Sequence, residues 1–161
     1  MRPEAELVAL LIDDTAGPAD RVAAMRELAG LGNSAGYCGV VAAAEFGTRL
    51  PSHRDDTFPS LAAAVATSRP FALRNGTEAR RLDAVRAMVR RADELYFGPG
   101  LVEAMDEHTL PHVADDLAET IARGVETVDA TGLGEQLADL FAVLGRVDPR
   151  SALLLEKYFK D

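Results

Sequence analysis

The chain has 161 residues, 48% of them hydrophobic and 6% aromatic, with no Trp; that suffices for one domain over residues 1–161 and leaves little room for a second. A formal net charge of −9 opposes contact with a nucleic acid backbone. The single cysteine, Cys38, excludes an internal disulfide and fits a reducing compartment.

With so few aromatics the core must be built mainly from Leu, Val and Ala, which suits close-packed helices. Runs rich in Val, Ile and Thr, the mark of strands, are missing. The expected fold class is therefore all-α, a compact multi-helix bundle or a short array of antiparallel helical hairpins, with about eight helices. Residues 1–11 carry Glu4 and Glu6 and lack a signal peptide's basic start and long apolar centre. The uncharged run from 28 to 44 is broken by Gly, Asn and Ser and falls short of the ~20 apolar residues of a membrane span. A soluble, cytoplasmic, acidic protein is the expectation, with no membrane contact.

In chain order, residues 4–12 read as a short amphipathic helix with Leu7, Leu10 and Leu11 inward. A loop over 13–17 leads to Pro18, a favoured first helical residue, and Asp20 sits where the helix dipole stabilises an anion. The helix over 18–31 carries Val22, Met25, Leu28 and Leu31 as its stripe. Residues 34–46 are apolar or small on every side, which predicts a buried helix. The stretch 47–59 is the longest irregular one, a helix is expected over 60–67, and 68–76 reads as a loop around Pro70.

The longest predicted helix covers 77–97. Its apolar residues Leu82, Val85, Val89, Ala92 and Tyr96 fall within about 80° at roughly 100° per residue. Arg80, Arg86, Arg90 and Arg91 point away from that sector. Asn75-Gly76 precedes it as a turn signal, Thr77 is its expected N-cap, and Gly98-Pro99 is its expected stop. A short turn or two follows over 101–107. Pro111 opens a helix with Val113, Leu117 and Ile121 inward, and Thr131-Gly132 breaks it. Residues 133–147 form another, with Leu137, Leu140, Phe141 and Leu144 as its face. Asp148-Pro149 reads as an N-cap and first-position pair for a last helix carrying Leu153, Leu154, Tyr158 and Phe159. The pairs 18–31 with 34–46 and 133–147 with 149–159 resemble units of a HEAT-type helical solenoid in their spacing. No repeat period holds through the middle, and a solenoid needs about three consecutive units, so the chain is not assigned to that family.

Five features bear on function. The glycine-rich run 30–36 lacks the preceding strand that a dinucleotide loop requires, and reads as a helix-to-helix turn. His108 and His112 are candidate metal ligands at i and i+4, with Glu107, Asp115 and Asp116 nearby. Pro111 starts a helix between them and spoils that geometry. His53 beside Asp55 and Asp56 is a candidate general base in the long loop, without a nucleophile near it in sequence. Cys38 lies in the most apolar segment and reads as a buried small hydrophobe. The fifth feature is charge segregation. Residues 68–93 carry seven Arg against three acids, whereas 103–139 carry ten acids against Arg123 alone. Such blocks steer a partner if they face solvent, and cancel if they pack together.

The expectation is thus a non-enzymatic protein-binding module, a bacterial regulator or an immunity-type inhibitor, with an acidic surface for a basic partner. Its candidate contact residues are Asp115, Asp116, Glu119 and Glu126 with Arg80, Arg86 and Arg90. The alternative is a bundle with a small-molecule or metal site, hydrolase-like, around His53 or His108 and His112. No cofactor is expected, and a homodimer is left open.

Overall fold

The computed structural model describes residues 2–13, 15–31, 37, 41, 57–127 and 132–159. Among them are nine α-helices and no strand: α1 (Glu4–Ile12), α2 (Pro18–Gly30), α3 (Thr57–Thr67), α4 (Arg69–Asn75), α5 (Glu78–Arg90), α6 (Pro99–Ala104), α7 (Leu110–Thr127), α8 (Gly132–Val147) and α9 (Pro149–Leu155), followed by a 3-10 turn over Glu156–Tyr158. The protein is an all-α multi-helix bundle. The expected helix over 34–46, Cys38, the glycine-rich run and the His53 loop lie outside the described residues, apart from the helical Tyr37 and Val41, Gly30 at the end of α2, Leu31 just after it, and the last part of 47–59, where α3 begins.

The core follows from the stripes. Leu7 and Leu11 of α1 meet Met25 and Leu28 of α2, all fully buried. Val113, Leu117 and Ile121 of α7 and Leu137, Leu140 and Leu144 of α8 are buried as their periodicity requires. α3 and α6 pack closely. A Cβ on Gly100 would lie 2.6 Å from the backbone N of Ala63 and 2.8 Å from the carbonyl carbon of Ala62, so glycine sets their approach.

α4 corrects the loop expected over 68–76. Pro70 occupies the first turn of this helix, where a missing N–H costs nothing. The Asn75 side chain donates to the Phe71 carbonyl at 2.8 Å, and Gly76 ends the helix in the left-handed conformation at φ 66°. α9 is as expected: the Asp148 carboxylate accepts from the Ser151 N–H and, at 2.6 Å, from its hydroxyl. These bonds, the side-chain one foremost, hold the Asp148 carboxyl below its ordinary pKa. α8 and α9 pack across the single residue Asp148, and Phe141 stacks on Phe159 with ring centroids 4.4 Å apart.

The helix expected over 77–97 ends at Arg90. The N–H groups of Arg91 and Ala92 turn back to the carbonyls of Met88 and Val89, and the chain then runs irregularly to Gly98, at φ 70°. The cause is a side chain about forty residues further on. Gln136 of α8, nearly fully buried, accepts from the N–H of Phe97 at 2.8 Å and of Gly98 at 3.3 Å. Its amide nitrogen donates to the carbonyls of Ala92 and Leu95 at 2.9 and 2.8 Å. One amide thus satisfies four backbone groups, three of which a continuing helix would have paired; the fourth, the Leu95 carbonyl, would have faced Pro99, which has no N–H. The buried stripe of α5 also turns relative to the expected one. Ala84, Val85, Met88 and Val89 are buried, Leu82 is only half-buried, and Arg81 lies inside.

Candidate functional site

The two charge blocks meet where α5 lies against α7. Asp116 points inward from α7, its side chain 8% exposed, and takes one guanidinium on each oxygen. Arg86 Nε donates to Oδ2 at 2.8 Å, and Arg90 Nε donates to Oδ1 at 3.2 Å. The side-chain hydrogen bond to Asp116 raises the Arg86 pKa. Thirty residues apart in sequence, Arg123 of α7 returns the arrangement with signs exchanged. Its Nε and Nη2 grip Asp93 at 2.7 and 3.0 Å, and Nη2 also reaches the Arg90 carbonyl at 2.7 Å. Such two-point, charge-assisted contacts fix register as well as contributing energy.

A third ion cluster closes the start of α7. Arg81, its side chain 5% exposed, donates Nε to the Val65 carbonyl at 3.1 Å and Nη1 to Asp106 Oδ2 at 3.3 Å. Arg69 approaches the same oxygen at 3.6 Å. Asp106 Oδ1 accepts from the N–H groups of His108 and Thr109 and from the Thr109 hydroxyl, which caps the turn leading into α7. Burial pushes the Asp106 carboxyl up, but the Thr109 bonds with Arg81 and Arg69 outweigh it, and the net shift is downward.

Asp115, Glu119 and Glu126 are exposed on the outer side of α7, as Arg80 and Arg90 are on α5. Arg86 is half-buried and Asp116 buried. The seven contact candidates therefore divide: Arg86, Arg90 and Asp116 form one cluster around the buried carboxylate, and Asp115, Glu119, Glu126 and Arg80 are exposed. Sequence reasoning missed Arg81, Asp106 and Gln136. For Arg81 a signal existed, because the stripe of Ala84, Val85 and Met88 extended back one turn falls on residue 81. Gln136 had none, since its partners are backbone groups far away in sequence.

His108 lies in the turn ahead of α7 and His112 in its first turn, both exposed. They border a hollow of about 160 Å³ with Glu78, Leu82, Arg81 and Asp106. Among the described residues no three His, Cys, Asp or Glu side chains come together as a metal site. No helix of the described residues is long and apolar enough to cross a membrane.

This architecture and this charged seam define a class, an all-α bundle held by internal arginine–carboxylate clusters. No family model, curated protein or solved structure matches the chain.

Proposed function

We propose that the protein is a non-enzymatic binding module that presents the outer face of α7 to a basic protein partner, in the manner of a regulator or an immunity-type inhibitor. The observation behind this reading is how the fold uses its charges. Arg69, Arg81, Arg86, Arg90 and Arg91 are each held in an ion pair within the chain. The acids they consume in the α5–α7 seam are the inward ones, Asp106 and Asp116. Asp115, Glu119 and Glu126 have no ion-pair partner among the described residues, and Glu135 and Asp139 add exposed acids at the near end of α8. Internal pairing thus engages these guanidiniums and leaves the outer acids Asp115, Glu119 and Glu126 of α7 without an ion pair among the described residues, on a chain whose balance is already −9. Unpaired like charges along an exposed helix steer a complementary partner and set its encounter rate.

The test compares two variants of equal charge. One carries Asp115→Asn, Glu119→Gln and Glu126→Gln; the control carries Glu4→Gln, Glu6→Gln and Asp20→Asn. Basic proteins captured from the source cell's lysate are followed from about 50 to 300 mM salt, a range over which the Debye length shrinks from roughly 14 to 6 Å. Capture should fall with salt, be lost in the α7 variant and persist in the control. Capture indifferent to salt, or lost equally in both variants, removes the reading.

A further inference from the structure

Among the described residues, three of the four exposed large apolar side chains lie together on α9 and the turn after it. Leu153 is 69% exposed, Leu154 78% and Tyr158 46%. Arg150 and Lys157 are exposed beside them, and the five share one side at three- and four-residue spacing. Lys157 Nζ lies 5.1 Å from the centre of the Tyr158 ring, within cation–π range. The other side of this segment is fixed to the bundle through buried Ala152 and the Phe141–Phe159 stack. The stripe thus has an apolar centre and a cation at each end. The nearest acids are engaged or set back: Asp148 caps α9 through Ser151, and Glu156 is half-buried. Clustered exposed apolar side chains mark an interaction surface, whereas scattered ones do not.

Charge decides what covers the stripe. Two copies of it set face to face bring cation onto cation, Arg150 on Lys157 when antiparallel and each on its own counterpart when parallel, and like charges in contact oppose such a pairing. The complement lies on α7. Asp115, Glu119, Ala122 and Glu126 are exposed and fall within about 60° at roughly 100° per residue. Glu119 and Glu126 stand seven residues apart, as Arg150 and Lys157 do, which is about 10 Å along a helix. Ala122 between the two acids leaves a shallow notch for a larger side chain, and Arg123 nearby is drawn to Asp93. Each stripe carries the same sign at both ends, so the match holds in either direction. Both stripes are exposed on one chain, so neither covers the other within it. We propose that a second copy of this chain covers the α9 stripe: Leu153 and Leu154 of one copy seat over Ala122 of the other, and Arg150 and Lys157 pair with Glu119 and Glu126. This rests on the reading of the outer face of α7 as a docking surface for a basic partner, and names one such partner. Repulsion between two copies at −9 keeps the affinity modest.

The experiment is sedimentation velocity of the full chain from about 10 μM to 1 mM at ~150 mM salt. The wild type should self-associate with a Kd below about 0.1 mM. Arg150→Glu with Lys157→Glu, and separately Glu119→Lys with Glu126→Lys, should each weaken association about tenfold or more, because like charges then meet. Mixing the two reversed variants in equal amounts restores opposite charges at every contact and should recover association between them. Loss of folding cannot imitate that recovery. Leu153→Ser with Leu154→Ser, at exposed positions, should abolish association without any change of charge. A wild type that is monomeric at about 1 mM, association that survives either charge reversal or the double serine change, or reversed variants that stay apart when mixed would each overturn the proposal. Salt-dependent capture of basic proteins by a chain that stays monomeric would remove this inference alone and leave the reading of α7 standing.

Discussion

Thr120 is 1% exposed on α7, and its hydroxyl has no hydrogen-bond partner among the described residues. A desolvated hydroxyl left unpaired costs about 1–3 kcal/mol, whereas both β-branched side chains suit a helix about equally. Thr120→Val should therefore stabilise the fold by about 1 kcal/mol, seen as a higher urea midpoint at unchanged slope. Asp106 gives the opposite case, a polar group fully engaged. Its folded pKa lies below the unfolded value of about 3.9. The unfolded chain therefore binds a proton first as pH falls, and the contribution of Asp106 is present above pH ~4 and lost as pH drops through its folded pKa. Unfolding free energy measured between pH 6 and 2.5 should decline more steeply in the wild type than in Asp106→Asn. Equal slopes would mean that Arg81 and Arg69 do not stabilise that carboxylate.

At the scale of elements, close approach and helix termination decide the fold. Gly100→Ala should gain about 0.5–1 kcal/mol from helix propensity. The new Cβ, however, meets the backbone of Ala62 and Ala63 below 3.0 Å, and forcing packed helices apart costs about 1–3 kcal/mol. The clash wins, and the thermal midpoint of Gly100→Ala should fall. Gln136→Leu should cost more, about 2–4 kcal/mol, because an apolar side chain of similar size fills most of the space but strands four backbone groups. Hydrogen exchange should then rise first at Phe97 and Gly98. These two positions also show what a sequence can reveal. The amphipathic stripes of α1, α7 and α8 and the Asp148 cap are local properties and were readable. The end of α5 was not, because residues 91–97 keep helical periodicity and only a distant amide overrides it. α4 was hidden by Pro70, which reads as a breaker unless its first-turn position is known. Segregated charge was legible in the candidate site, but the inward turn of Asp116 between Arg86 and Arg90 is a tertiary fact.

For the molecule as a whole, the division of its acids into inward and outward sets separates folding from binding. A chain at −9 experiences self-repulsion in its compact state, and the outward acids of α7 add to it without a compensating pair. Surface changes away from special contacts usually stay within about 0.5 kcal/mol. Asp115→Asn with Glu119→Gln and Glu126→Gln should therefore leave stability unchanged or slightly raised. Asp116→Asn changes one charge rather than three, yet it removes the carboxylate that holds two guanidiniums at the α5–α7 contact. The breaking of a buried pair costs about 3–5 kcal/mol. Arg86 and Arg90 are 38% and 52% exposed, so water relieves part of that, and a loss of about 1–2 kcal/mol is expected. Urea melts of both variants at about 50 and 300 mM salt supply the check. The single variant should be the less stable one, and its deficit should shrink with salt only in part, because half-buried pairs are screened less than exposed ones. A triple variant that unfolds more readily than Asp116→Asn would mean that the outer acids serve the fold, and would leave α7 no surface charge to spare for a partner.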